Sequence, residues 1–255
     1  MNHQGNSPRR PRTSAPWAAI VALLIGITFG PGVVTAPAQS VDHLNLAQDL
    51  VAQLRTQGEN GEFFDGGGTE YNEYGASWSE SFIDFGSPAY VHAVCSNFYI
   101  RLMMAAYPGW TAKSVGFAGS SPNAATIHDA IEANACQYVR VPTFAAWQPG
   151  DVIAIKYLDG SSSSGHVMVL EHATPVTTYR DGTIRWSVRV IDCSSGPHSQ
   201  DTRVFPSYTS SGAGRGSMYI FTLNGAVTGY SWSQSSGSKI YAPAARHLTL
   251  GRLAF

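Results

Sequence analysis

Residues 149–170 read PGDVIAIKYLDGSSSSGHVMVL. Two apolar runs, 151–157 and 166–171, flank a segment of Asp-Gly, four serines and a glycine. Runs this short, rich in Val and Ile and bounded by turn residues, predict two strands joined by a flexible connection, and so paired antiparallel. Residues 186–192 (WSVRVID) and 218–223 (MYIFTL) repeat the pattern downstream, with Arg180-Asp181-Gly182 marking another such turn ahead of the first of them. The second half of the chain is therefore a β-sheet, and residues 247–253 are a candidate last strand.

The first half has a different period. In 41–57 (VDHLNLAQDLVAQLRTQ), Leu44, Ala47, Leu50, Val51 and Leu54 recur at three- and four-residue spacing, one face of an amphipathic helix. A buried helix is predicted from Tyr90 to Ala106, with Cys95 in its first turn or two, ended by Tyr107-Pro108-Gly109. Asn123 caps a short Ala-rich helix over 124–135, in which Ile127 and Ile131 share a face. Helices followed by an antiparallel sheet define an α+β fold.

The chain has 255 residues, 44% hydrophobic and 13% charged, enough for one sizeable core. Its formal net charge of -1, with no basic run beyond the first dozen residues, argues against a nucleic-acid partner. Arg9, Arg10 and Arg12, the apolar stretch 17–34 and Ala36-Pro37-Ala38 read as a signal peptide over residues 1–38. Gly26, Gly30, Pro31 and Gly32 interrupt the stretch and argue against a retained anchor. Arg9-Arg10 also leaves the twin-arginine route open beside the general one. The expectation is a secreted or periplasmic, cell-envelope protein: a single domain over 39–255, monomeric, with no membrane contact after cleavage.

Three cysteines in an oxidising compartment, Cys95, Cys136 and Cys193, leave at least one thiol unpaired within the chain. A Cys136–Cys193 disulfide would make Cys95 the spare; connectivity stays open on sequence grounds. A lone cysteine in a helix is ordinarily core. Cys95, however, is placed near a helix start, where unpaired N–H groups stabilise a thiolate and can bind an oxyanion. His166, directly after Gly165 at a strand start, is the candidate base. Asp192, ending the next strand, is the candidate to orient it, with His198 in reserve. His92, three residues before Cys95, reads as an exposed first-turn histidine. Asp151 satisfies turn backbone, and no metal ligand set and no cofactor are expected. Phe63, Phe64, Trp78, Trp110 and Trp147 are open between core and groove.

AVCSNF around Cys95, PGDVIAI at 149–155, GHVMVL at 165–170 and VIDCSS at 190–195, in that order, resemble the NlpC-type papain-like cysteine peptidases and amidases over roughly residues 90–225. The family motif has Asp before the cysteine and Ser-Gly after it, where this chain has Val94 and Ser96-Asn97. Its third position is often His, where Asp192 stands here. The resemblance implies a papain-like core in a divergent branch and a Cys95–His166–Asp192 triad. It also implies hydrolysis of peptide or amide bonds, usually in cell-wall peptides such as those of peptidoglycan. Two alternatives stand beside it: a non-catalytic wall- or protein-binding module on the same fold, and a transglutaminase-like acyltransferase.

Overall fold

The structure is a computed structural model and describes residues 41–255; the predicted signal peptide lies outside the described residues. Helix α1 (Asp42–Glu59) is followed by three short strands, β1 (Asn72–Tyr74), β2 (Phe82–Asp84) and β3 (Tyr90–Ala93). Helix α2 (Cys95–Ala106) and helix α3 (Ala124–Glu132) come next, then β4 (Tyr138–Arg140), β5 (Val152–Tyr157) and β6 (Gly165–Thr178). Strands β7 (Ile184–Ser194), β8 (Gly212–Leu223), β9 (Ala226–Ser231) and β10 (Arg246–Leu253) complete the chain. The architecture is α+β, with few helices and one large antiparallel sheet.

That sheet has seven strands in the order β4-β10-β5-β6-β7-β8-β9, every neighbouring pair antiparallel. A second, three-stranded sheet has the order β1-β3-β2. Asn72 clamps the two together: its Oδ1 accepts from the Ala213 N–H at 2.7 Å and its Nδ2 donates to the Ala213 carbonyl at 2.8 Å.

The continuous apolar runs of β5 and β6 follow from burial on both faces. Val152, Ala154, Val167, Val169 and Ile191 pack with α1, α2 and α3 in one core. The alternate residues Ile153, Ile155, Met168, Leu170, Val188 and Val190 form a second core with Phe144, Ile220, Tyr230 and Leu248. The connectors close this second face: Phe144 donates its N–H to the Gly225 carbonyl, and Tyr241 pairs with Tyr230 while lying under the Arg246 guanidinium.

The predicted helices α1 and α3 form close to their expected bounds, and Asn123 caps α3 by accepting from Thr126 N at 2.9 Å. The expected helix from Tyr90 is corrected. Residues 90–93 are a strand with alternating burial, and helix begins only at Cys95. Consequently His92 lies on β3, 3.6 Å from the Glu73 carboxylate, rather than on a helix face beside Cys95. Strand β6 runs well beyond the predicted 166–171, because its polar second half pairs with β7 with several residues exposed and carries no long apolar run. The expected last strand is present, yet it sits inside the sheet between β4 and β5. Among the described residues no helix is long and apolar enough to cross a membrane.

Candidate active site

Cys95 is the first residue of α2. Its N-cap is Val94, whose side chain offers no oxygen to the first N–H groups of the helix. Cys95 thus sits at the positive end of the α2 dipole, beside N–H groups that no cap side chain takes up.

His166 is set by close backbone contact. Gly165 has φ +146, and a Cβ there would lie 1.9 Å from the Ile155 carbonyl oxygen, so only glycine lets β6 begin against β5 at this point. Met168 pairs directly with Asp192, which places His166, two residues earlier, diagonally across from Asp192 on the same face.

The three predicted residues come together. His166 Nε2 lies 2.6 Å from Asp192 Oδ2, which leaves Nδ1 as the ring nitrogen free for the thiol. Both histidine and carboxylate are buried, Asp192 completely. Burial alone would lower the His166 pKa. The negative charge of a Cys95 thiolate beside it, with its contacts to Asp192 and Cys95, outweighs burial and raises it to about 10.

Asp192 carries more than one partner. His198 Nε2 lies 2.9 Å from the same Oδ2, and Arg203 Nη2 donates to Oδ1 at 3.2 Å. The His198 Nδ1 faces the Trp232 carbonyl at 3.0 Å, so both ring nitrogens address oxygen acceptors. Burial would raise the Asp192 carboxyl; the charges of His198 and Arg203 and the hydrogen bonds from both histidines hold it well below the usual carboxylate range. His198, the reserve orienter, therefore acts on Asp192 rather than in its place.

Arg203, buried in a loop, is held in turn by Asp201, with Nε to Oδ1 at 2.8 Å and Nη2 to Oδ2 at 2.6 Å, and by the Gly212 carbonyl at 2.9 Å. Two glycines on β8 make room for this loop: a Cβ on Gly214 would meet Arg203 at 2.4 Å, and one on Gly216 would meet Asp201 and His198 at 2.6 Å. A lone arginine in a polar loop gives no sequence signal. The alternating glycines in 212–216 (GAGRG) were the trace of it, since glycine within a strand marks close approach by other backbone or side chains.

The cleft beside His166 is lined by Tyr74, Tyr157, Ser163, Ser194, Pro197 and Trp232, with further small residues. Trp232 sets its ring edge-on to His166 at 5.2 Å. Burial and the neighbouring Cys95 charge both push the Tyr74 hydroxyl pKa upward, so it stays a protonated donor near the sulfur. These aromatics were not singled out by sequence. The five that were sit elsewhere: Trp110 is core, Phe63 packs on Phe205 and Tyr208, Arg101 covers Trp78, and Trp147 meets His172. Phe64 is exposed.

All three cysteines are free, so the Cys136–Cys193 disulfide does not form. Cys193 is fully buried on β7 with its thiol on the Ala93 carbonyl at 3.0 Å, while Cys136 sits in the turn after α3. Burial raises the pKa of both thiols. Asp151 accepts from Gln148 N at 2.7 Å, the turn role expected of it, and is bound by Arg252 at 2.8 and 2.9 Å. His166, Asp192 and His198 also have the donor geometry of a metal-ligand trio. Here they satisfy one another as donors and acceptor, with Arg203 supplying a cation.

No protein-family model matches the sequence, and no solved structure matches it significantly. An uncharacterized protein of Acanthamoeba polyphaga mimivirus is 28% identical over 130 residues, which is 46% of this chain and 57% of that protein. The chain thus matches less than two thirds of that relative's length.

Proposed function

We propose that this chain is an exported cysteine hydrolase with a papain-like, NlpC-type core that cleaves peptide or amide bonds. The carrying observation is the placement of Cys95 at a helix N-terminus against His166, which a fully buried Asp192 holds at 2.6 Å.

In this reading the Cys95 thiolate attacks the substrate carbonyl carbon, forming a carbon–sulfur bond. The carbonyl oxygen becomes an oxyanion, received by N–H groups at the start of α2, with the Tyr74 hydroxyl nearby. His166 passes its proton to the departing amine as the carbon–nitrogen bond breaks. It then takes a proton from water, which displaces the thiolate and releases the acid. Asp192 keeps Nε2 occupied, so Nδ1 does both transfers.

The substrate side rests on the resemblance, the predicted export signal and the aromatic and hydroxyl-rich cleft, which together favour wall peptides. The place of action is then the cell envelope or its exterior, and the working form a monomer.

The test is to incubate the purified protein with peptidoglycan fragments and peptide amides and to follow new amines and acids by mass spectrometry. Hydrolysis that disappears in Cys95→Ala is expected. Amine adducts in place of free acids would move the assignment to acyl transfer, and binding of fragments without turnover would make the fold a binding module.

A further inference from the structure

A second cluster of polar side chains lies away from the cleft, where α3 packs on β10. We propose that His128, Glu132 and His247 form a binding site for one divalent transition-metal ion of the zinc type, tying α3 to β10. The proposal stands apart from the cysteine-hydrolase reading, since none of the three lines the cleft.

His128 and Glu132 are four residues apart on α3 and so share a face, and His247 reaches them from β10. One ligand atom from each lies within 4.8 Å of the other two. His128 Nε2 and His247 Nδ1 face each other at 2.7 Å. On its other side, His128 Nδ1 meets Asp129 Oδ1 at 2.9 Å, and Lys156 holds that carboxylate at 2.9 and 2.6 Å. A carboxylate on the far nitrogen is the usual outer-shell support of a metal-bound histidine: it fixes the hydrogen on Nδ1 and turns the Nε2 lone pair inward.

The Asp129 bond on Nδ1 leaves Nε2 as the ligand nitrogen of His128. Arg140 Nε donates to Glu132 Oε1 at 2.9 Å. Glu132 adds a carboxylate to the two imidazoles, a donor set suited to zinc with water in the fourth position. With Asp129 taking the His128 Nδ1 hydrogen, the hydrogen shared between the two rings sits on His247 Nδ1 in the metal-free form. Metal binding passes it through solvent to His247 Nε2, and nothing is oxidised or reduced.

The test is titration of the purified protein with Co²⁺, read by visible absorption, and with Zn²⁺, read by the thermal unfolding midpoint. One Co²⁺ per chain and a Zn²⁺-dependent rise in the midpoint are expected. His247→Ala should weaken binding about tenfold or more, and Asp129→Asn roughly ten- to a hundredfold. His198→Ala, which disrupts the other histidine cluster, should leave Co²⁺ binding unchanged. Circular dichroism of each variant separates loss of the site from loss of the fold, with His247→Gln as a second variant if His247→Ala fails to fold. Absence of a Co²⁺ spectrum and of a Zn²⁺ shift in the wild type overturns the proposal, leaving a plain N–H···N hydrogen bond. Retention of binding in a folded His247 variant, or its loss in His198→Ala, overturns it too.

Discussion

Asp192 Oδ2 lies 2.6 Å from His166 Nε2, inside a site where the carboxylate has no exposure. The same carboxylate also neutralises part of the charge of buried Arg203. In the proposed mechanism one group therefore serves both turnover and stability, and two substitutions separate them. Asp192→Asn keeps the shape but loses the charge that holds the imidazole; kcat/KM should fall about a hundred- to ten-thousandfold. Asp192→Ala should in addition destabilise the fold by about 3–5 kcal/mol, because Arg203 and His198 lose their shared anion. Steady-state kinetics and chemical denaturation check the pair.

His198 touches Asp192 and Trp232 but does not line up on the sulfur through a free nitrogen. As a positioning residue it should matter less than Asp192. His198→Gln is expected to lower kcat by a smaller factor than Asp192→Asn, leave KM near its original value and shift the alkaline limb of the pH profile. An effect as large as that of His166→Ala would place His198 in the proton-transfer path instead.

The pH dependence follows from two opposite shifts. The His166 pKa is raised to about 10, so the stabilisation it contributes is full below its unfolded value of about 6.5 and is lost as pH rises toward 10. The Asp192 pKa is depressed, so its contribution is full above about 3.9 and is lost only as pH falls through its lower folded value. Activity should persist into the alkaline range and decline near pH 10 as the imidazolium loses its proton. NMR titration of His166 should show its pKa falling in Cys95→Ala, which removes the thiolate that raises it; an unchanged value would contradict the ion pair.

Gly165→Ala puts a Cβ 1.9 Å from the Ile155 carbonyl oxygen at a φ that side chains avoid. A cost of at least about 2–3 kcal/mol in stability is expected, with displacement of His166 and loss of turnover. Thermal unfolding alongside an activity assay tests it; a neutral substitution would mean that β6 does not approach the Ile155 carbonyl at Gly165.

The sequence made β5 and β6 legible because residues buried on both faces leave unbroken apolar runs, and a glycine before a polar residue at a strand start drew attention to His166. Asn123 announced α3 because its side chain is a cap. The start of α2 was hidden for the converse reason: Val94 caps nothing, so the alternation of β3 ran into the helix period without a break. The place of β10 between β4 and β5 was not legible, since it is fixed by pairing across about a hundred residues of chain. Arg203, Tyr74 and Trp232 reach the site from loops and short strands that have no period to read, and His247 meets His128 only through the sheet order.

The most direct measurement is alkylation of the native protein at neutral pH with limiting iodoacetamide, followed by mass mapping of all three cysteines in wild type and in His166→Ala. Cys136 is the most exposed of the three and Cys95 is buried. Cys95 should nevertheless be modified first in wild type and lose that priority in His166→Ala, since in the proposed site its reactivity derives from the helix N-terminus and the imidazole rather than from access. Modification of Cys136 ahead of an inert Cys95, or a Cys95 rate indifferent to His166, would contradict it.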